Sequence, residues 1–179
     1  MKKLSKLLLA LSVASVSAGV LAEENESITV HFNGTVTQPT CTFKSPDRQV
    51  TLPPVKATEL EKLRIGEATN INSVNFKLDL HCASKAEAEH ISIMLAAEAD
   101  AAEQNAIKNN ADDNGVGLEL FNEQNKVLAL NRELPQSSYL DRLNQGDDNL
   151  NFVVKYARLG ESVSGGNVAG DAVFTVNYK

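Results

Sequence analysis

The side chains with chemical potential in this sequence are two cysteines, three histidines and many carboxylates. Cys41 and Cys82 lie about 40 residues apart, a spacing much wider than the close pairs typical of zinc sites. In an oxidising compartment we expect one disulfide between them, with two separate thiols or a shared metal as the alternatives. The chain-entropy model assigns the closure of such a loop roughly 4 kcal/mol of stabilisation.

The histidines and carboxylates do not form a catalytic or metal-binding pattern. His31 lies on the outward side of an alternating segment, and His81 would be a zinc ligand only if Cys82 were a free thiolate. Two aspartate pairs, at 112–113 and 147–148, fall in predicted turns without the regular spacing of a calcium loop. The sequence also has no HExxH, nucleophile elbow or phosphate-binding glycine loop. We therefore expect a protein that is not an enzyme, with no catalytic residue, metal site or cofactor.

The first 22 residues have the three parts of a secretory signal peptide. Three lysines within the first six residues are followed by an apolar core at 7–20 and by small residues at 20–22. The apolar run is too short to predict a membrane-spanning helix. Cleavage after Ala18 and an uncleaved N-terminal anchor are the alternatives. Export would also supply the oxidising compartment that the disulfide needs.

Length and charge after cleavage point to one acidic domain. Removal of residues 1–22 would leave 157 residues and would take away three lysines, which changes the formal net charge from −6 to −9. Nucleic-acid binding needs a basic patch, so this balance argues against a nucleic-acid partner.

Short segments in which apolar and polar residues alternate run along the rest of the chain. Alternation of this kind, with β-branched and aromatic residues, is typical of β-strands. The predicted strands occupy residues 28–36, 41–43, 50–52, 74–80, 91–95, 116–121, 126–130, 152–156 and 172–178. Turn signals separate them, above all the Asn- and Asp-rich run 109–115 and the Gly- and Ser-rich run 160–170. The pattern predicts a single all-β sandwich.

Two segments are less strand-like. Residues 83–89 are expected to form a short helical or loop entry to the following strand. Residues 96–106 are rich in Ala and Glu, a composition that favours a helical turn.

The order and spacing of these features resemble the pilin subunits of type 1 and P fimbriae, which belong to the chaperone–usher class. The predicted signal is followed by Ile-Thr-Val-His-Phe-Asn-Gly-Thr-Val at 28–36, and Cys41 comes five residues later. The chain ends in Phe174-Thr-Val-Asn-Tyr178-Lys, an alternating segment with a penultimate tyrosine. Residues 115–121 and 152–158 look like the family's middle strands. The resemblance covers the whole chain after the signal.

This resemblance implies an incomplete immunoglobulin-like sandwich that lacks its last strand. In the family a periplasmic chaperone first covers the open groove, and the N-terminal extension of the next subunit then replaces it. The implied parts are a signal peptide at 1–22, a donor-strand extension at 23–37 and a pilin domain at 38–179. The implied function is a structural subunit of a cell-surface fimbria used in adhesion. Its partners would be neighbouring pilin subunits, the periplasmic chaperone and the outer-membrane usher.

The resemblance also assigns roles to particular residues. The implied donor strand consists of Ile28, Val30, Phe32, Gly34 and Val36. The family has a glycine at the position of Gly34, where its groove is shallow. The implied groove strand, which the chaperone would also contact, carries Phe174, Val176 and Tyr178. The Cys41–Cys82 disulfide would hold the sheet that bears the groove.

Three other interpretations remain open at this point. Residues 28–36 are also compatible with the first strand of a complete secreted sandwich that acts as a binding module, with Gly34 at a bulge. A minor adaptor or terminating subunit would have the same general pattern as a major pilin. A tip adhesin is disfavoured, because its additional lectin domain does not fit this length and because Trp is absent.

Overall fold

The computed structural model of the chain describes residues 28–35, 41–84 and 88–179. Contacts divide the chain into two units, residues 1–36 and residues 37–179. The predicted signal peptide and Val36 lie outside the described residues, and so do residues 85–87 within the predicted helical entry.

In the first unit, residues 28–35 form neither helix nor strand, and all of their side chains are exposed. Ile28 is 89% exposed and Phe32 is 91% exposed. Large apolar side chains in this state are unusual for a soluble chain, since burial of each would contribute about 1.5–3 kcal/mol.

The second unit is built almost entirely from β-strands. Along the chain its elements are β1 (Cys41–Phe43), α1 (Ala57–Leu60), β2 (Glu67–Ala68), β3 (Val74–Cys82), β4 (Ile91–Ala97), β5 (Ala106–Ile107), β6 (Val116–Asn122), β7 (Arg132–Glu133), a 3₁₀ turn (Gln136–Ser138), α2 (Leu140–Gln145), β8 (Asn149–Arg158) and β9 (Ala172–Tyr178). The strands form two antiparallel sheets, which confirms the predicted all-β fold.

The larger sheet has the strand order β1-β3-β8-β6-β5, and β2 also pairs with β8. The central strand β8 pairs with β3 from Val74↔Val154 onward and with β6 from Val116↔Arg158 onward. The alternation of β3 in the sequence becomes an inward face of apolar side chains and an outward face that includes Lys77. At the edge of this sheet, the predicted disulfide joins Cys41 of β1 to Cys82 of β3.

The smaller sheet has the order β7-β4-β9. All seven residues of β4 pair with all seven of β9, from Ile91↔Tyr178 to Ala97↔Ala172. The core lies between the two sheets. Its most completely buried aliphatic side chains are Leu80, Ile91, Ile93, Leu95 and Leu150.

Two segments differ from the sequence-based expectations. Residues 96–106 do not form a helical turn: Ala96 and Ala97 end β4, and the Asp100 carboxylate accepts a hydrogen bond from the Ala102 N–H at 2.8 Å. This local bond stabilises a turn that competes with a helix. Residues 50–52 were expected to be a strand but pair with no described strand, although Val50 and Leu52 pack against the core.

The predicted strands at 116–121 and 126–130 pair with each other as the two arms of a hairpin. The Asn122 N–H donates to the Lys126 carbonyl at 2.9 Å, and the Leu128 N–H donates to the Leu120 carbonyl at 2.8 Å. Its second arm is only a short bridge at Val127. The helices α1 and α2 were not predicted, because each is shorter than the window in which a helical period becomes visible.

Candidate functional site

The strands β1 and β9 are edge strands of different sheets. β1 is the last strand of the larger sheet and β9 is the last strand of the smaller sheet. Within the described part of the chain, β9 is hydrogen-bonded only to β4, so its other edge has no strand beside it. An unpaired strand edge is a template for pairing with another chain.

The segment that follows β1 also has a free backbone. The Lys44 N–H donates to the Asp79 carbonyl at 2.9 Å, which continues the β1–β3 ladder by one residue. Residues 45–52 then make no main-chain hydrogen bond to any other described residue. This segment, which we call the 45–52 rim, therefore has unpaired N–H and C=O groups.

A groove of about 420 Å³ is lined by residues of β9 and of the 45–52 rim. They include Ala172 and Phe174 of β9 and Val50 and Leu52 of the rim. Its floor consists of core side chains of the larger sheet, which are Phe76, Leu78, Leu118, Leu120 and Val154. Polar groups, among them Asp47 and Arg48, line it as well. The groove thus combines an apolar floor with two rims of unpaired backbone.

The side chains at this groove are less buried than the rest of the core. Phe76, Leu78 and Phe174 line the groove and pack against the core but are only partly buried, and Val176 further along β9 is partly buried as well. The Phe152 ring packs between two of them, with centroid distances of 5.5 Å to Phe76 and 5.1 Å to Phe174. The sandwich is therefore closed on one side and open on the side of β9.

The end of β9 is joined to the start of β1 by one hydroxyl group. The Cys41 N–H donates to Tyr178 Oη at 2.7 Å, and the Tyr178 O–H donates to the Cys41 carbonyl at 2.8 Å. The predicted groove residue Tyr178 thus lies on the outward edge of β1. Its hydroxyl links the two sheets at the disulfide.

The beginning of β9 is fixed by contacts between two loops. The amide of Asn109 donates to the carbonyls of Asp112 and Asn167, and the Asn167 N–H donates to the Asp112 carboxylate. Gly115 has φ +73°, and a Cβ there would lie 2.2 Å from the Ser162 carbonyl oxygen, so this loop contact requires glycine. These bonds hold the 160–170 loop that leads into β9.

A buried polar cluster lies on the outward face of the larger sheet, away from the groove. Glu119 of β6 and Lys155 of β8 are opposite each other in register, and both are almost fully buried. The Lys155 ammonium donates to Asn70 Oδ1 at 2.7 Å and lies 4.1 Å from the centre of the Phe121 ring. Burial raises the pKa of Glu119 to about 7 and lowers the pKa of Lys155.

The predicted donor residues belong to the first unit, and the predicted groove residues belong to the second. Ile28, Val30 and Phe32 are exposed, and a Cβ added at Gly34 would meet nothing within 4 Å. The role of these residues stays a prediction. The 45–52 rim was missed as a functional element, and its only sequence signal is the alternation of Val50 and Leu52 before Pro53-Pro54.

No cluster of three or more His, Cys, Asp or Glu among the described residues has the arrangement of a metal site. Within the same part of the chain, none of the helices has the length and apolar character needed to cross a membrane.

Residues 30–179 match the family model described as fimbrial protein. This range covers most of the chain. The chain belongs to the fimbrial protein family. The resemblance inferred from the order of strands and cysteines is thereby confirmed. A comparison with curated proteins gave no significant match.

Solved structures show the same fold at low sequence identity. The P pilus rod subunit PapA has a TM-score of 0.61 at 15% identity, with 86% of this chain and 100% of PapA covered. A subunit from a chaperone–usher pilus, described in a study of rod uncoiling, has a TM-score of 0.52 at 15% identity, with coverage of 89% and 100%. The type I fimbria protein BPSL1626 of Burkholderia pseudomallei has a TM-score of 0.51 at 20% identity, with coverage of 77% and 88%.

Proposed function

We propose that this fimbrial subunit polymerises by strand complementation, in which the N-terminal extension of one subunit fills the groove of the next. The observation that carries the proposal is the groove itself, since its two rims have unpaired backbone and its floor is apolar. An inserted strand would form main-chain hydrogen bonds with both rims, and its side chains would fill the core.

The exposed extension has the chemistry that such a groove needs. Ile28, Val30 and Phe32 recur at every second position, so a strand formed by residues 28–36 would present them on one face. Gly34 falls on the same face, where the absence of a side chain allows close backbone approach. Burial of the three large side chains would contribute several kcal/mol to each subunit contact, at about 1.5–3 kcal/mol per side chain.

The rest of the assembly route follows from the same surface. An apolar groove with free edges would aggregate if it were left open during export. We infer that a periplasmic chaperone covers it, that an outer-membrane usher catalyses the exchange, and that the product is a cell-surface fimbria used in adhesion. In this scheme residues 1–22 are the export signal, residues 23–37 are the donor extension and residues 38–179 are the pilin domain.

Thermal melting of residues 38–179 with a synthetic peptide of residues 23–38 tests this proposal. We expect a saturable rise in Tm, because a ligand that binds only the folded state stabilises it by mass action. The matched control is the same peptide with Gly34→Arg, which places a long charged side chain where the backbone must approach the groove. No rise with the unmodified peptide, on a domain that is already stable, would mean that the groove does not accept this strand.

A further inference from the structure

The hydroxyl group of Tyr178 has two partners on a single residue of the other sheet. It accepts a hydrogen bond from the Cys41 N–H at 2.7 Å and donates one to the Cys41 carbonyl at 2.8 Å. Tyr178 itself belongs to β9, where its Cα pairs with Ile91 of β4. One phenol group therefore connects the edge strand of the smaller sheet to the edge strand of the larger one.

The register of β1 shows on which side of the strand the N–H and the C=O of Cys41 lie. Because Lys44 N–H bonds to Asp79, the alternation of an antiparallel ladder makes Cys41↔Cys82 a pair without mutual hydrogen bonds. Their Cα separation of 4.0 Å agrees with this assignment. The N–H and C=O of Cys41 thus point away from β3, toward the side on which a further strand would pair. The Tyr178 hydroxyl satisfies both groups there.

The bonds also constrain the spacing of the groove. The segment from β1 through the 45–52 rim runs opposite to β9, because Cys41 bonds to Tyr178 at the end of β9 while Val50 and Leu52 line the same groove as Ala172 and Phe174 near its beginning. At the far end, the loop before β9 is held by the Asn109, Asp112 and Asn167 bonds. At the near end, the described contact between the two edge strands is the Tyr178 hydroxyl.

We propose that Tyr178 is a positioning residue whose hydroxyl closes the disulfide end of the groove and fixes the separation of its two rims before a strand is bound. A groove held at the correct width loses less conformational freedom on binding, which increases affinity without adding a contact to the ligand. Because the Tyr178 hydroxyl already bonds the N–H and the C=O of Cys41, an incoming strand cannot pair with Cys41. It pairs only with the residues that follow Cys41 in the chain. This inference rests on the proposed strand complementation.

The test uses the full exported chain with Gly34→Arg, so that the chain presents its groove but does not donate its own extension. We compare this parent with the same chain carrying Tyr178→Phe, and titrate both with the peptide of residues 23–38. We expect about five- to tenfold weaker peptide binding for Tyr178→Phe, equivalent to the loss of roughly one net hydrogen bond. We also expect the Cys41 amide to exchange with solvent at least about tenfold faster, because its acceptor is gone.

Tyr139→Phe is the matched control. Its hydroxyl donates to the carbonyl of Ile91, the residue opposite Tyr178, at 3.3 Å, and its side chain is buried in the core away from the groove. This variant removes a tyrosine hydroxyl that bonds to β4 of the same sheet, without touching Cys41. We expect it to change the melting temperature but neither the affinity for the peptide nor the exchange of the Cys41 amide.

The outcomes separate the two proposals. Equal peptide affinity for the parent and Tyr178→Phe would overturn the positioning role and leave strand complementation intact. Absence of binding by the parent would overturn strand complementation and the positioning role with it. Loss of cooperative melting in Tyr178→Phe would also overturn the positioning role, because it would show that the hydroxyl stabilises the whole fold. A side chain that is 47% exposed is not expected to have so large an effect.

Discussion

Ile93 and Val176 lie directly opposite each other in the β4–β9 ladder, yet they belong to different environments. Ile93 is 0% exposed, whereas Val176 on the edge strand is half-buried. The same contrast holds for Leu95 and its partner Phe174. The side chains of Ile93 and Leu95 in β4 are covered by the core, whereas those on the same face of β9 are only partly buried, and Phe174 among them lines the groove.

The smaller sheet thus combines a buried central strand, β4, which stabilises the subunit, with a partly buried edge strand, β9, whose outer edge is unpaired among the described residues. The inward side chains of β9 are only partly buried, so each leaves up to about 1 kcal/mol of burial unrealised in the isolated subunit, a share of the value for full burial. In the proposed complementation, this unrealised burial would favour binding of an incoming strand.

Removal of the disulfide is expected to have the largest effect on this arrangement. The Cys41→Ser, Cys82→Ser double variant should lower the free energy of unfolding by roughly 4 kcal/mol, because the cross-link joins residues 41 apart in sequence. Urea denaturation of the oxidised chain and the double variant measures the difference. The amides of β1 should lose protection first. Uniform loss of protection across both sheets would contradict a disulfide that acts on the groove side.

Truncation of Ile93 and of Val176 compares the two environments directly. Ile93→Ala should cost about 2–5 kcal/mol, because it leaves a cavity in a closed core. Val176→Ala should cost less, about 1 kcal/mol in the empty subunit, because its side chain is only partly buried and the site lies on an edge strand.

The comparison becomes sharper when the groove is filled. With the peptide of residues 23–38 bound, the cost of Val176→Ala should rise by about 1 kcal/mol, whereas that of Ile93→Ala should stay constant. Urea denaturation with and without peptide gives both values. Equal costs for Val176→Ala in the two states would show that this side chain does not contact the bound strand.

An effect of similarly small size, which depends on pH, is expected on the outward face of the larger sheet, away from the groove. The pKa of Glu119 is raised from 4.5 to about 7, first by burial and then by the nearby Glu103 carboxylate, while Lys155 opposes the shift. A raised acid pKa means that the folded state holds its proton while the unfolded state releases it. This group therefore reduces stability as the pH rises from about 4.5 to 7.

Glu119→Gln should remove that pH dependence and stabilise the subunit by about 1 kcal/mol at pH 7.5. The difference should vanish near pH 4. Thermal melts at both pH values measure it, and peptide binding should not change because the cluster lies on the other face of the sheet from the groove. A stabilisation that is equal at pH 4 and pH 7.5 would assign the effect to packing instead of to ionisation.

Much of the larger architecture could be predicted from local pattern. The alternation at 74–80 and 172–178 predicted strands because one face of each meets the core, and both strands are observed. The expected turns at 109–115 and 160–170 are also loops in the structure. In both cases the conformation depends on residues that are close together in the sequence, so it can be predicted from the local pattern of residues.

The prediction failed where nonlocal contacts decide the conformation. Residues 96–106 have a helix-favouring composition, yet β4 extends through Ala97 because Val173 and Ala172 lie beside it. Residues 50–52 alternate like a strand but find no described partner. Strand status depends on a neighbouring chain segment, which composition does not reveal.

Short amphipathic strands, two cysteines able to pair and an alternating apolar segment at 28–36 can all be recognised in the amino-acid sequence. Side-chain chemistry and a period of two residues are local properties, which is why they are visible without coordinates. The tertiary structure decided which edges remain unpaired, how deeply Phe174 and Val176 are buried, and that Tyr178 reaches Cys41 across 137 positions. These features depend on how distant segments meet, because a strand edge or a groove exists only between elements that the fold has brought together.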